Sequence, residues 1–430
     1  MLRLNGFLQE AAIKVRLRLL CCASVLLVVL AVPACGSDSE GDPLSTATPQ
    51  PTAVAAGSAG DTQGITENSV LFGQSAAFSG AAQELGINMR LGIEAAFAEA
   101  NRNGGVHGRQ LQLTHLDDTY EPELAALNTR RLIQTLGVFA LIGEVGTPTS
   151  RSATPVAADE NTPFIAPFTG AEFLRSSNWS NIVNLRASYN QETEEMVERF
   201  TEDLGIERIA VLYQDDSFGR AGYDGALAAL KRRDLEPVAV GVYPRNTTAV
   251  KTALLDISEG QPGGIIMVGA YQPVAEFILW ARETRLVNAE FIAISFVGSN
   301  ALARRLGPEG AGVFVTQVVP SPDDSSLPVV ASYLDALSEI DSAAEPGFVS
   351  LEGYLAGRLA IEGLQRCGRD LTRDCFIDSI LNGGDFEIDG FPLSYSGAPD
   401  DNQGSDTVFL AVLGADGKYH TIENLHDTVR

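Results

Sequence analysis

Cysteine, histidine and tryptophan are scarce in this chain, whose 430 residues include five Cys, four His and two Trp. Structural zinc needs several Cys or His ligands close together. The scattered histidines do not offer them, so we expect neither a metal nor a cofactor. Basic residues are also few, with 30 Lys and Arg against 55 Asp and Glu and a formal net charge of −25. Such a chain repels polyanions, which excludes nucleic acid as a partner.

After residue 34 the chain lacks any apolar run long enough to cross a membrane, which takes about 20 residues. The exception before that point is residues 19–34, LLCCASVLLVVLAVPA, preceded by the basic residues Arg3, Lys14, Arg16 and Arg18. A basic front, a short apolar core and a small residue at the break are typical of a secretory signal. We predict a signal peptide over residues 1–34 and an exported mature protein.

The pair Ala34-Cys35 resembles the cleavage site of bacterial lipoproteins. The resemblance implies that Cys35 becomes the lipidated first residue of the mature protein and anchors it to the membrane. Residues 35–64 are poor in large apolar side chains and rich in Ser, Thr, Pro, Ala and Gly. This composition predicts a disordered tether between the anchor and the folded body.

Two cysteines remain once the signal and the lipid site are set aside, Cys367 and Cys375. They flank Gly368 between two helical patterns, in a protein exported to an oxidising compartment. We predict a disulfide between them; two buried free thiols are the alternative.

From residue 65 onward, short apolar runs such as VFALIGE, RIAVLYQ and GGIIMVGA alternate with amphipathic segments of helical length. This alternation predicts an α/β fold with parallel sheets covered by helices on both faces. The mature length exceeds what one core supports, so we expect two lobes. Ligands of such sheets bind beyond the carboxyl ends of the strands, where this chain has loops that combine hydroxyls, glycines and aromatics: residues 77–80, 146–149, 168–170, 215–219, 271–273 and 296–299.

These loops, in their order and spacing, resemble the type I periplasmic solute-binding proteins of the branched-chain amino-acid (Leu/Ile/Val) ABC importers. The fragments AAFSGAAQELG, ALIGEVGTPTS, PFIAPFTGAEFLR and AVLYQDDSFGRAG carry the resemblance. It implies two doubly wound lobes joined by three crossovers, with the ligand in the cleft between them. Lobe 1 would comprise residues 65–182 and 321–381, and lobe 2 residues 183–316 and 391–422.

The resemblance also implies which residues hold the ligand. The ligand carboxylate would be bound by Ser79, Gly146 and Thr147, and the ammonium by the loop Phe168-Thr169-Gly170 together with an acid of lobe 2. Aromatic side chains would line the remaining walls, and these are Phe218, Tyr271 and Phe296.

Three positions depart from the family pattern. The cysteine pair of the best-known members falls on Tyr120 and Gly146, and the bulky Phe168 replaces a small residue. The acid of lobe 2 falls on Val297. Because a buried ammonium without a counter-charge is costly, we expect a carboxylate or amide with an apolar or ring-bearing tail. The alternative is that another acid replaces the missing one, and the candidates are Asp118, Glu192, Asp215 and Asp216.

An enzyme is the main rival class, but we find no G-x-S-x-G elbow, phosphate loop or H-E-x-x-H motif. The resemblance implies a monomeric, non-enzymatic binding protein that delivers an amino acid or a related small carboxylate or amide to an ABC permease. A ligand-sensing protein for a membrane receptor or kinase fits the same sequence. A secreted hydrolase is the remaining alternative.

Overall fold

Strands and helices alternate along the chain and form two separate sheets. The structure is a computed structural model, and it describes residues 61–395 and 401–427. The signal peptide, Cys35 and most of the predicted tether lie outside the described residues.

The first sheet has five strands, all parallel, in the spatial order β2-β1-β3-β4-β5. Helices connect successive strands on both of its faces. In chain order the elements are β1 (Ser69–Ala76), α1 (Gln83–Arg102), β2 (Gln110–Asp117), α2 (Pro122–Gln134), β3 (Ala140–Ile142), α3 (Thr147–Asp159), β4 (Phe164–Ile165) and β5 (Ile182–Val183).

The second sheet receives the chain after β5 and has seven strands. Its parallel part is built from α4 (Tyr189–Glu198), β6 (Ile209–Gln214), α5 (Ser217–Lys231), β7 (Ala239–Tyr243), α6 (Lys251–Gly260), β8 (Gly264–Val268), α7 (Tyr271–Arg282), β9 (Glu290–Ala293), α8 (Ser299–Leu306) and β10 (Phe314–Gln317). Strands β6 and β8 are buried along their whole length. Helices cover both faces of the sheet, which explains why these strands read as continuous apolar runs.

The chain then returns to the first sheet through α9 (Pro328–Ile340), α10 (Phe348–Cys367) and α11 (Arg373–Leu381). Helix α10 packs closely on α1 because Gly92 and Gly353 face the partner helix: a Cβ on either glycine would overlap the other helix's backbone. A short hairpin follows, β11 (Phe386–Ile388) and β12 (Phe391–Leu393). Finally β13 (Phe409–Leu413) and β14 (Tyr419–Ile422) add antiparallel strands beside β10.

The two halves of the fold are called lobe 1, with the five-stranded sheet, and lobe 2, with the seven-stranded sheet. The chain passes between the sheets after β5, after β10 and between β12 and β13. The predicted doubly wound α/β architecture is therefore present. Residues 391–393 pair with β11 and not with the seven-stranded sheet, to which we had assigned them.

The end of the predicted tether belongs to the folded body. The side-chain amide of Gln63 donates to the carbonyl of Ile133 at 2.6 Å, and the carbonyl of Asp61 accepts from the backbone N–H of Arg373 at 2.9 Å. Residues 61–64 were predicted from composition alone to be disordered, and that prediction is wrong. Composition does not reveal such single hydrogen bonds to a distant helix.

A disulfide joins Cys367, the last residue of α10, to Cys375 in the first turn of α11, with the Cα atoms 5.8 Å apart. We expect reduction, or the Cys375→Ser substitution, to lower the free energy of unfolding by about 2 kcal/mol, because the loop it closes is short. Denaturant unfolding with and without reductant measures the loss.

The control is the intact mass of the purified exported protein after alkylation, which shows whether the two cysteines are bonded before reduction. Two alkylated thiols without prior reduction would contradict the bond.

Candidate functional site

The carboxyl ends of the strands of both sheets face a shared cleft. From lobe 1 come the loops after β2, β3 and β4, and from lobe 2 the loops after β6 and β9 together with the start of α4. Aromatic rings from these segments meet in the cleft. We call them the aromatic cluster: Tyr120, Phe168, Tyr189, Phe218 and Phe296.

Phe296 lies at the centre of the aromatic cluster. Its ring centroid is 4.5 Å from that of Phe218 in lobe 2, and 5.3 Å and 6.0 Å from those of Phe168 and Tyr120 in lobe 1. Tyr189 extends the cluster, 5.5 Å from Phe218. All five side chains are buried. Rings at these separations attract one another in addition to burying apolar area, so the cluster holds the two lobes together.

Two glycines allow the rings to approach. Gly146 has a φ of +105°, and a Cβ there would overlap the ring of Tyr120. These are the two positions on which the family's cysteine pair falls, so a ring-on-glycine contact stands in place of a disulfide. Gly170 accommodates Tyr189 in the same way, and its carbonyl accepts from the Tyr189 N–H at 2.7 Å.

We expect Gly146→Ala to lower the free energy of unfolding by about 2–4 kcal/mol, because the new methyl group combines a strained left-handed backbone with overpacking against Tyr120. Gly80→Ala is the matched control, since Gly80 has a φ of +80° but an added Cβ would meet nothing within 4 Å. Denaturant unfolding compares the two variants, and equal losses would show that the ring contact contributes nothing.

The hydroxyl residues of lobe 1 are divided between two places. Thr147 and Thr169 are buried, and their hydroxyl oxygens lie 2.7 Å apart. Ser79 is exposed and donates to Asp117 at 2.5 Å. No contact described for Ser79 reaches Thr147 or the aromatic cluster. Their shared role in binding a carboxylate stays a prediction.

Tyr271 lies apart from the aromatic cluster. It is buried at the start of α7 beside Gly298, where Leu85 of lobe 1 also packs. Burial raises the pKa of its hydroxyl. Val297 is buried in the turn that carries Phe296 and supplies no charge to the cleft.

Behind the aromatic cluster lies a group of charged side chains that the sequence reasoning missed or left as one alternative among several. We call it the buried charge cluster: Arg186, Glu192 and Glu352. Arg186 follows β5, Glu192 lies on α4 of lobe 2 and Glu352 on α10 of lobe 1. The Nη2 atom of Arg186 is 3.0 Å from Oε1 of Glu192, and its Nη1 is 3.5 Å from Oε1 of Glu352.

Glu192 has all of its acceptor positions in use. Its Oε1 accepts from Arg186 and from the Ser295 hydroxyl at 2.9 Å. Its Oε2 accepts from the Ser295 N–H at 2.9 Å and from the Thr316 hydroxyl at 2.6 Å. A carboxylate offers about four lone-pair sites, so Glu192 is a structural acid that fixes the end of β10 and the turn after β9.

The sequence contains a signal for this cluster. Arg186 comes three residues after the end of a buried strand, and Glu352 stands within an apolar helix, FVSLEGYLAG. Lone charges in such places are almost never fully buried without a partner. Their pairing could therefore be suspected from the sequence, although the choice of partner could not.

The other candidate acids are engaged elsewhere. Asp216 caps α5, with Oδ1 accepting from the N–H groups of Phe218 and Gly219 at 2.9 and 3.2 Å. Asp118 accepts from the Ser75 hydroxyl and the Tyr120 N–H, and burial raises its pKa to about 7. Asp215 is exposed and lies 3.7 Å from Arg220.

Burial raises the pKa of Glu352 to about 7, although the charge of Arg186 acts in the opposite direction. The folded protein therefore keeps this proton at a pH where the unfolded chain releases it. The stabilisation is complete below about pH 4.5 and is lost as the pH rises toward 7.

From pH 5 to pH 8, we expect the free energy of unfolding of Glu352→Gln to rise relative to that of the wild type by on the order of 3 kcal/mol. The reason is that the glutamine stays neutral while Glu352 loses its proton. Urea unfolding at both pH values tests this, with the exposed Glu345→Gln as control. A difference between wild type and Glu352→Gln that does not change with pH would contradict it.

In residues 61–395 and 401–427, none of the helices has the length and apolar character needed to span a membrane. Over the same ranges, no three or more His, Cys, Asp or Glu side chains are grouped so that they could hold a metal ion.

Comparison with known proteins gives one consistent result. In fold, the chain is similar to the crystal structure of a possible leucine/isoleucine/valine-binding protein from Rhodopirellula baltica, with 40% identity and a TM-score of 0.79 over 84% of this chain and 98% of that one. A substrate-binding periplasmic protein from Ralstonia solanacearum is 26% identical, with a TM-score of 0.77 over 82% of this chain and 100% of that one.

Curated sequences agree with the solved structures. The Leu/Ile/Val-binding protein homolog 2 of Brucella abortus is 22% identical over 360 residues, which cover 82% of this chain and 92% of that protein. A sequence model described as periplasmic binding protein matches residues 69–418. The chain therefore belongs to the periplasmic binding protein family.

Proposed function

We propose that this protein is an exported solute-binding protein that takes up an amino acid, or a related small carboxylate or amide, between its two lobes and delivers it to an ABC importer. The aromatic cluster is the observation that carries the proposal. Phe168 and Tyr120 of lobe 1 enclose Phe296 of lobe 2, so the cleft is complete only when the lobes are closed. The family membership and the names of the relatives support the same function.

Polar contacts at the rim of the cleft support closure as the working motion. Arg245 of lobe 2 lies 2.6 Å from Glu121 of lobe 1, and Asn246 donates to the same carboxylate at 2.8 Å. On another side, Arg304 lies 2.6 Å from Glu84. Exposed pairs of this kind contribute little each, so they can break and re-form while a ligand sets the balance between open and closed forms.

Several features belong to the proposal and rest on the sequence or the family. They are the lipid anchor at Cys35, the monomeric state, the absence of catalysis and the lobe boundaries at residues 182–183 and 316–321. The hinges would be the three passages between the sheets. Membrane fractionation of a Cys35→Ala variant tests the anchor, since an unlipidated protein should be released.

Small-angle scattering after a ligand screen tests the function. The mature protein is partly unfolded and refolded to remove bound ligand, then screened by thermal shift against amino acids, their deaminated acids and their amides. We expect a saturating ligand to raise the melting temperature and to reduce the radius of gyration. Identical scattering profiles with and without the bound compound would contradict closure, and turnover of the compound would favour an enzyme.

A further inference from the structure

Two acids near the cleft, Glu192 and Asp216, have little left to offer a ligand ammonium. Glu192 accepts four hydrogen bonds from the protein itself. Asp216 accepts from two backbone N–H groups and from the Gln214 side chain at 2.6 Å. Since a carboxylate with these donors in place must give one up to bind anything else, neither acid is a ready partner for a cation.

Arg186, in contrast to these acids, has hydrogen-bond donors that the protein does not satisfy. It is fully buried, and only its Nη2 group makes hydrogen bonds, to Glu192 and Ser295. Its Nε and Nη1 groups have no hydrogen-bond partner among the described residues. Buried donors of a charged group are nearly always satisfied, so these two point to an acceptor that the protein itself does not supply.

The surroundings of Arg186 connect it with the cleft. Its guanidinium carbon lies 5.1 Å from the ring centroid of Phe168 and 5.8 Å from that of Tyr189, both members of the aromatic cluster. The flat guanidinium group thus lies against the rings that line the cleft. An anion that enters between the rings reaches a guanidinium group that still has free N–H donors.

Among the described residues, Glu352 is the acid beside the free Nη1 group, and its hold on that group is weak. It lies 3.5 Å from Nη1 without a hydrogen bond to that nitrogen. Burial raises its pKa to about 7, so its negative charge is incomplete at neutral pH. An arriving carboxylate can therefore replace Glu352 as the partner of Nη1.

We propose that the cleft selects an organic monocarboxylate without an ammonium group, with an apolar or ring-bearing body packed in the aromatic cluster and a carboxylate oxygen accepting a hydrogen bond from Nη1 of Arg186. This rests on the proposed function and narrows its ligand class. A hydrogen bond from a guanidinium to a carboxylate is charge-assisted and therefore stronger than one between neutral groups. An amino acid would bring an ammonium group beside Glu192 and Asp216, whose acceptor positions are already in use.

Calorimetry with matched probes tests the inference on the wild-type protein after ligand removal. Leucine is compared with 4-methylpentanoate, and phenylalanine with 3-phenylpropanoate and 3-phenylpropanamide. We expect one of the acids to bind at least about 10-fold tighter than its amino acid, and tighter than the neutral amide by a similar factor. An amino acid that binds more tightly than its deaminated acid overturns the inference and leaves the proposed function standing.

The variant Arg186→Lys tests the guanidinium group, since it keeps a positive charge beside Glu192 but loses the Nη1 donor. We expect acid binding to weaken at least about 10-fold while binding of the amide changes little. The exposed Arg208→Lys is the control. Unchanged acid binding in Arg186→Lys overturns the inference, as does the absence of binding by every probe; in the second case the wider ligand screen decides the proposed function separately.

Discussion

Replacing Arg186 with Met is expected to lower the free energy of unfolding by about 3–5 kcal/mol, because the change leaves Glu192 buried without its cation. Arg186 and Glu192 are both fully buried, so water cannot take over the lost interaction. A loss of this size is a large part of the 5–15 kcal/mol that stabilises a typical domain. Urea unfolding followed by circular dichroism measures it.

Arg304→Met is the matched control for this prediction. Arg304 also lies between two acids, 2.6 Å from Glu84 and 3.1 Å from Glu345, but about half of its side chain is exposed. Exposed pairs contribute about 0–1 kcal/mol, so the control should lose little. If both variants lose the same amount, burial is not the reason for the effect at Arg186.

The substitution Phe296→Ala is expected to abolish ligand-induced compaction and to weaken ligand binding by on the order of 30-fold. Truncating a buried Phe costs about 3–5 kcal/mol. Phe296 touches Phe218 within lobe 2 but Phe168 and Tyr120 only across the cleft. If about half of this loss, roughly 2 kcal/mol, applies only to the closed form, ligand affinity decreases by about 30-fold. Scattering and calorimetry measure the two effects.

Phe376→Ala makes the same truncation inside lobe 1. Its ring packs on Phe72 and Phe139, with centroids 6.3 and 5.3 Å away, far from any contact with the aromatic cluster among the described residues. This control should lose stability yet keep compaction on binding. If the Phe296→Ala variant still becomes compact when it binds ligand, the ring of Phe296 stabilises only the core of lobe 2.

Strand–helix alternation was sufficient to predict the architecture. The runs VFALIGE and GGIIMVGA contain β3 and β8, which are buried on both faces, and this is why their apolar residues are continuous instead of alternating. PFIAPF shows the limit, since only Phe164 and Ile165 form a strand. Ala166 interrupts the strand with a φ of +47°, and Phe168 resumes parallel pairing as a single bridge to Val145. The composition of the run does not distinguish this from a longer strand.

Hydroxyl, glycine and aromatic residues at strand ends indicated where to look for a site, but not which of them would meet. Ser79 and Thr147 follow neighbouring strands, yet Ser79 is held by Asp117 on the exposed side. Phe296 and Phe168 are 128 positions apart in the chain and touch. Such contacts depend on how one lobe rests on the other, which no local pattern contains.

The sequence by itself determined the export signal it predicts, the α/β architecture and the edge of the sheets where a ligand would bind, because these follow from composition and from the period of apolar residues. Only the tertiary structure decided which charges are paired. Arg186, Glu192 and Glu352 come from a crossover and from helices of both lobes. The free energy of a buried charge depends on neighbours within a few ångströms, and those neighbours are set by chain folding over more than 150 residues.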